Sequence, residues 1–253
     1  MGIGDELAVN KDKIKKSEGL RINKKMKDLD VSKYVFEKNH EELCKTINLF
    51  KSDYEKAIKT IKISQGKGLN PFLYELSRLL HNYLASGKTL IDHSRKLFQQ
   101  EYEHKHLAFS KVYQNKLKET FAESPLAKFI QDLRNYSLHR SIPISGASYD
   151  IASSNRGLTE VFLVKKSLLE WDGWTKKAKE YIDTCKKDID LIQLVNEYTK
   201  KTKEFQEWFR SKQMEIHKKD FDELRTLQQK SKYIYDKRMK NIVKEIEKDE
   251  KSK

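Results

Sequence analysis

Residues Ser124-Pro-Leu-Ala-Lys-Phe-Ile-Gln-Asp-Leu-Arg-Asn-Tyr-Ser-Leu-His139 decide how this chain reads. Ser124 followed by Pro125 is a helix-start signal, because a hydroxyl caps an open backbone N–H and Pro has no N–H to lose in the first turn. Leu126, Phe129, Ile130 and Leu133 then share one face of a 3.6-residue repeat, so the stretch predicts a short amphipathic helix. Pro143 disfavours a helical Ile142 and predicts that the helix ends within a turn of His139. The same stretch carries Arg134, Asn135 and His139. A fixed cation, an orienting amide and an imidazole that exchanges protons near neutral pH are the parts a metal-free phosphoryl-transfer site needs. Residues five apart on an unbroken helix point roughly 140° away from each other. Arg134 and His139 therefore work together only if the backbone bends near His139 or if they face a shared groove from its two sides.

Working upstream, Asn70-Pro71 repeats the start signal and predicts a helix from Pro71 to about Glu103, striped by Leu73, Leu76, Leu80, Leu84, Ile91 and Phe98. Gly87 within it points to close helix packing or a bend. Ser86-Gly-Lys-Thr89 lacks the earlier Gly and the preceding strand of a phosphate loop. Val35, Leu43, Ile47, Phe50, Tyr54, Ile58 and Ile61 predict an earlier helix from about Ser32 to Ile63, stopped by Gln65-Gly-Lys-Gly68. Residues 1–30 are Lys-rich without a sustained period and read as a basic arm, loosely docked or disordered. Between the two main helices, Leu107, Val112, Leu117 and Phe121 mark a further amphipathic segment.

Downstream, Ala147-Ser-Tyr-Asp-Ile-Ala-Ser153 and Leu158-Thr-Glu-Val-Phe-Leu-Val-Lys165 flank Ser154-Asn-Arg-Gly157 and predict a β-hairpin. Ala178, Ile182, Cys185, Ile189, Ile192 and Val195 predict one long helix, and an apolar pattern interleaved with Lys and acids continues to the C-terminal residues. The expected fold class is all-α: a helical bundle with long helices, a small β-hairpin insertion and a C-terminal helical extension. Its divisions are an arm over 1–30, a bundle over 31–143, a hairpin over 144–171 and long helices over 172–253.

Composition agrees with that reading. Nine Gly and three Pro in 253 residues, 36% of them charged, favour long exposed helices over a sandwich, a barrel or a doubly wound sheet. A net charge of +14 suits a partner such as nucleic acid, although solvated Lys-rich helices carry the same charge. Cys44 and Cys185 lie far apart and read as reduced thiols of a reducing compartment. His104 and His106 lie close to Glu101 and Glu103, but spacings of two do not share a helix face, so no metal set is expected. No apolar run approaches the roughly 18 residues of a membrane span, and Met1-Gly-Ile-Gly-Asp-Glu6 lacks the build of a signal peptide. A soluble cytoplasmic protein without membrane contact is the expectation.

Arg134-Asn-Tyr-Ser-Leu-His139, late in a helical chain, resembles the signature of the HEPN superfamily, helical nucleases of prokaryotic defence and toxin systems and of eukaryotic RNA decay. That pattern is Arg, a polar residue, and His after four to six positions; the likeness covers about Pro71 to Pro143. Arg210 to His217 repeats the spacing loosely, with Ser211 where the polar amide stands in the first match. The resemblance implies a metal-independent ribonuclease, with no cofactor, acting on RNA through a composite site in a homodimer. It gives Arg134 the phosphate, His139 the proton transfers and Asn135 an orienting role. It also implies an acidic brace for the motif Arg on an upstream helix, a role that Asp92 in Thr89-Leu-Ile-Asp-His-Ser-Arg95 can fill unless it pairs locally with Lys88 or Arg95. An antitoxin or sensor protein is a further implied partner. A catalytically silent HEPN-like binding module and a structural helical scaffold are the alternatives. Lys200, Lys201, Lys203, Arg210, Lys212, Lys218 and Lys219 around Trp208 and Phe209 read either as an RNA-tracking surface or as a solvated face over a core.

Overall fold

The start signals at Asn70-Pro71 and Ser124-Pro125 open helices in the computed structural model, which describes residues 3–52, 70–140, 143, 145–150 and 157–251. The fold is all-α with one small antiparallel sheet. Tyr54, Ile58, Ile61, the stop at Gln65–Gly68, Ile142 and most of the expected hairpin turn lie outside the described residues. The elements are α1 (Ile3–Lys16), α2 (Glu18–Ser52), α3 (Asn70–Glu101), α4 (Leu107–Leu117), a π-helical turn (Lys118–Ala122), α5 (Pro125–His139), β1 (Ser145–Asp150), β2 (Gly157–Leu163), α6 (Lys165–Leu169), α7 (Lys176–Thr184), β3 (Ile189–Asp190), α8 (Leu191–Ile216) and α9 (Lys218–Lys251). They fall into a body, Leu29–Glu207, and a terminal unit made of Met1–Asp28 and Trp208–Lys253.

In the body, α3 buries Leu76, Leu80, Tyr83, Leu84, Leu90 and Phe98. Gly87 sits where a Cβ would meet Phe36 Cε2 at 3.2 Å and Tyr198 Cε1 at 3.5 Å, so the missing side chain lets α2 and α8 approach α3 closely. Tyr83 stacks on Phe36 at 5.2 Å and donates its hydroxyl to Val195 O at 2.9 Å, which satisfies the buried phenol. Along α4 the structure corrects the expected core. Leu107 and Val112 are exposed, whereas Phe109 and Tyr113 are buried, Tyr113 stacking on Phe98 at 3.8 Å. The register that hides two rings beside Phe98 removes more apolar surface from water than the one hiding Leu107 and Val112.

The hairpin pairs β1 with β2 antiparallel, from Ser145 opposite Leu163 to Asp150 opposite Gly157, with a register shift after Ser148. A third strand departs from the sequence pattern: Ile189 and Asp190 pair with Leu163 and Phe162 and split the long helix expected from Ala178. The reason lies in two acids. Asp188 accepts the backbone N–H of Lys165 at 2.9 Å, and Asp190 accepts that of Gln193 at 2.7 Å, the latter capping α8. Ile189 is buried in the strand as it would have been in a helix, so its apolar character did not distinguish the two.

The terminal unit corrects the expectation of an arm over residues 1–30. α1 packs along α9, burying Leu7, and Asn10 donates its amide to Leu227 O and Ser231 Oγ, each at 2.8 Å. Ile22 and Met26 of α2 are buried as well. These apolar positions are too sparse to show a period in isolation, and they become a core only against a second helix.

Candidate functional site

α5 is fixed from its buried side. Ser124 Oγ caps the Ala127 N–H, and Phe129, Leu133 and Tyr136 face inward. Phe129 stacks on Trp174 at 5.3 Å and on Tyr181 at 4.9 Å, while Tyr136 stacks on Trp174 at 5.7 Å and meets Trp171 edge-on at 5.3 Å. Trp174 donates its indole N–H to Leu168 O at 2.7 Å. Asp132, buried, accepts the N–H and hydroxyl of Thr175 at 2.9 and 2.6 Å, tying α5 to the start of α7. Asp132 is thereby committed to Thr175 and does not serve as an ion-pair partner for its neighbour Arg134.

The opposite face of α5 is open. Taking about 100° per residue, Phe129, Ile130, Asp132, Leu133 and Tyr136 fill the inward arc, and Gln131, Arg134, Asn135, Leu138 and His139 fill the outward one. The helix runs unbroken through His139, so no bend brings Arg134 and His139 together. They stand at the two edges of the outward arc, with half-exposed Leu138 between them, and Asn135 lies one turn from His139 on its own side.

Arg134 points into a cleft of about 80 Å³ between α3 and α5, lined also by Lys88, Asp92, Arg95, Gln131 and Phe121. Its Nε is buried without an acceptor, and among the described residues the guanidinium has neither a hydrogen bond nor an ion pair. Asp92 shares this cleft, as a brace for Arg134 would require, but its carboxylate is held by Lys88 on the same helix and lies 3.7 Å from Arg95 Nη1. The local pairing with Lys88 and Arg95 is the one observed. Three cations against one carboxylate leave the cleft an excess of positive charge. A buried donor left unpaired costs about 1–3 kcal/mol, and a bound anion removes that cost. Tyr198 closes the floor, and burial pushes its phenol up to about 12, so it stays uncharged.

Lys88, Arg95 and Gln131 enter the site beyond the residues expected. The signal for the first two is their spacing: Lys88, Asp92 and Arg95 stand at steps of four and three, which places all three on one face of α3. Phe121 arrives through the π-helical turn, a wide turn that apolar periodicity does not reveal.

Other expected features find structural roles. His93 is exposed, its Nδ1 2.6 Å from Ser32 Oγ. The second Arg-to-His match dissolves, because His217 is buried with its Nδ1 2.8 Å from Asp220 Oδ2. Phe205 and Phe209 are core, with Trp208 partly buried. Among the described residues no three His, Cys, Asp or Glu side chains gather as a metal-binding set, and no helix is long and apolar enough to cross a membrane. The chain matches no protein-family model, no curated protein and no solved structure. The likeness to the HEPN signature therefore rests on the motif residues and their setting.

Proposed function

We propose that this protein is a metal-independent endoribonuclease of the HEPN type, working as a homodimer with a composite site in a prokaryotic toxin or antiphage defence system. The observation that supports this most is Arg134, whose buried Nε has no partner among the described residues and which lines a cationic cleft, on the outward arc of one helix with Asn135 and His139. Lys88 and Arg95 add charge that favours a phosphodiester over a neutral ligand.

RNA supplies its own nucleophile. One His139 takes the proton of the 2′-hydroxyl, O2′ attacks phosphorus, and the bond to O5′ breaks as the other subunit's imidazole returns a proton to it. Arg134 holds the charge that builds on the non-bridging oxygens, and Asn135 orients the imidazole one turn away. The products are a 2′,3′-cyclic phosphate and a 5′-hydroxyl, and DNA resists. Two copies are needed because Arg134 and His139 of one helix diverge by roughly 140°, so facing helices supply the groove that one helix lacks. An antitoxin or sensor protein restrains the activity.

The test is cleavage of a mixed RNA pool in excess EDTA by wild type and His139→Ala, with product ends mapped. Wild-type cleavage leaving cyclic phosphates, lost in the variant, is the expected result. The same divergence of Arg134 and His139 favours a silent RNA-binding module as the second reading; RNA binding without cleavage by either protein would select it, and neither binding nor cleavage would leave the scaffold.

A further inference from the structure

Within the terminal unit, α1 covers only the first half of α9. It engages that helix through Asn10, at Leu227 O and Ser231 Oγ, and through Glu6, 3.4 Å from Lys230 Nζ. Ile234 is the last apolar residue of α9 to be buried. The helix then runs on to Lys251, roughly 25 Å further at 1.5 Å per residue. Over that length every described side chain, from Tyr235 to Lys248, is exposed.

The projecting half is not polar all round. Tyr235, Met239, Ile242 and Ile246, 38–53% exposed, recur at steps of four, three and four. That spacing keeps them within about 60° of one another round the helix, the narrow stripe of a two-helix seam rather than the wider face that packs on a globular core. Apolar side chains aligned in water carry an unfavourable free energy that a single facing helix would recover. The edges of the stripe say what that helix is. Arg238 and Glu245 stand two turns apart on one edge, and among the described residues neither has an ion pair or a hydrogen bond. Asp236 and Val243 stand on the other edge.

An anionic membrane surface suits this stripe poorly. A helix lying in a membrane interface sets Lys and Arg beside its apolar face, whereas Asp236 and Glu245 are two of the three charged residues on these edges. A second α9 suits it well. With two copies antiparallel and Met239 opposite Ile242 of the other copy, Tyr235 meets Ile246 and the seam closes with two-fold symmetry. Arg238 of each copy then stands across the seam from Glu245 of the other, and both unpaired charges are matched. A parallel pair sets Arg238 beside Val243 and leaves it unmatched. We propose that the stripe of Tyr235, Met239, Ile242 and Ile246 is a self-association surface, on which the α9 helices of two copies pair antiparallel with Arg238 opposite Glu245. This contact is a source of the second copy that a composite site needs, yet it rests on α9 alone and not on the nuclease reading.

The test is sedimentation equilibrium of the full chain over a range of concentrations, read as the dimer dissociation constant, for wild type, Ile242→Glu, Arg238→Glu and Glu245→Arg. Burying one such apolar side chain is worth about tenfold or more in affinity, so Ile242→Glu, which removes one from each copy, should weaken the dimer about 100-fold or more. Ile242 is exposed in the single chain, so circular dichroism of the variant should match wild type. Each charge reversal sets like charges across the seam at two places and should weaken the dimer by about tenfold. An equimolar mixture of Arg238→Glu and Glu245→Arg should return to within about threefold of wild type, because every facing pair in the mixed dimer is again opposite in sign. A wild type that stays monomeric at its highest soluble concentration, a dimer indifferent to Ile242→Glu, or a mixture no tighter than its components would overturn the pairing. Binding of wild type, but not of Ile242→Glu, to phosphatidylserine and phosphatidylcholine vesicles without dimerisation would overturn it in favour of a membrane. Mass is the readout, so a failure to cleave RNA leaves the result standing.

Discussion

The body and the terminal unit are both helical and both rich in lysine, yet they are held by different means. Around α5 the body assembles Phe129, Tyr136, Trp171, Trp174 and Tyr181 in ring contacts of 4.8–5.7 Å, backed by a buried carboxylate with two donors. The terminal unit relies more on aliphatic contacts, with Asn10, the buried Phe209 and His217 held by Asp220 beside Phe221, while Tyr235, Met239, Val243 and Ile246 of α9 stay exposed. Interlocked rings fix a helix in rotation as well as position, because each ring fits only one orientation of its neighbour. Arg134, Asn135 and His139 thus lie on a helix whose rotation is fixed by the rings behind it.

If that is so, damage to the outward face of α5 should remove activity and spare the fold. His139→Ala should cut RNA cleavage by about 10²–10⁴-fold, the usual contribution of a positioned acid–base group, with circular dichroism and thermal midpoint unchanged. Arg134→Ala should reduce both cleavage and RNA affinity, whereas Arg134→Lys should restore affinity more than rate, because a point charge does not reproduce paired hydrogen bonds to phosphate.

Damage to the inward face should do the reverse. Trp174→Ala leaves a void among Phe129, Tyr136 and Trp171 and removes one of the donors to Leu168 O, so it should cost about 3–5 kcal/mol in denaturant unfolding. A loss near 1 kcal/mol would show that the ring cluster does not fix α5.

How much of this was legible in the sequence depended on whether a residue acts alone or through a neighbour. Ser124-Pro125 and the spacing of Phe129, Ile130 and Leu133 placed α5 because caps and periodicity are local. Arg134, Asn135 and His139 could be named for the same reason. Their common outward face became visible only once Asp132 was seen to turn inward to Thr175, a contact spanning 43 residues. Lys88 and Arg95 stood in plain view as neighbours of Asp92, but their place in the cleft depends on α3 meeting α5. The strand at Ile189 and the helix α1 were missed for one reason: a short or sparsely apolar segment takes its structure from its partner, here β2 and α9.

The terminal unit should yield to gentler changes. Asn10→Ala removes a donor shared by Leu227 O and Ser231 Oγ and should cost about 0.5–1.5 kcal/mol. Gly19→Ala should cost more than the usual Gly-to-Ala gain in a helix returns, because the added Cβ collides with the backbone carbonyl of Asp220. Hydrogen exchange should register both changes in α1 and α9 while protection of α5 stays constant. Uniform loss across the two units would mean that they unfold as one.

The smallest effect expected concerns pH, and it separates the α2 and α8 packing from the motif helix. Burial lowers the His40 pKa, outweighing the hydrogen bond with Asn196 that opposes it; the nearby Lys203 adds to the shift, and Glu41 and Glu37 oppose it more weakly. The unfolded chain binds a proton at His40 near the ordinary value of about 6.5, while the folded chain resists it. Between that value and the lower folded one the unfolded state holds more protons, so stability falls as the solution is acidified. Wild type should therefore lose more stability than His40→Gln between pH 7.5 and 5.5, a window of about two units around the free imidazole value. Glutamine keeps a hydrogen-bond partner for Asn196 but cannot take up the proton. Parallel pH profiles for the two proteins would place the titration elsewhere and leave His40 with a packing role alone.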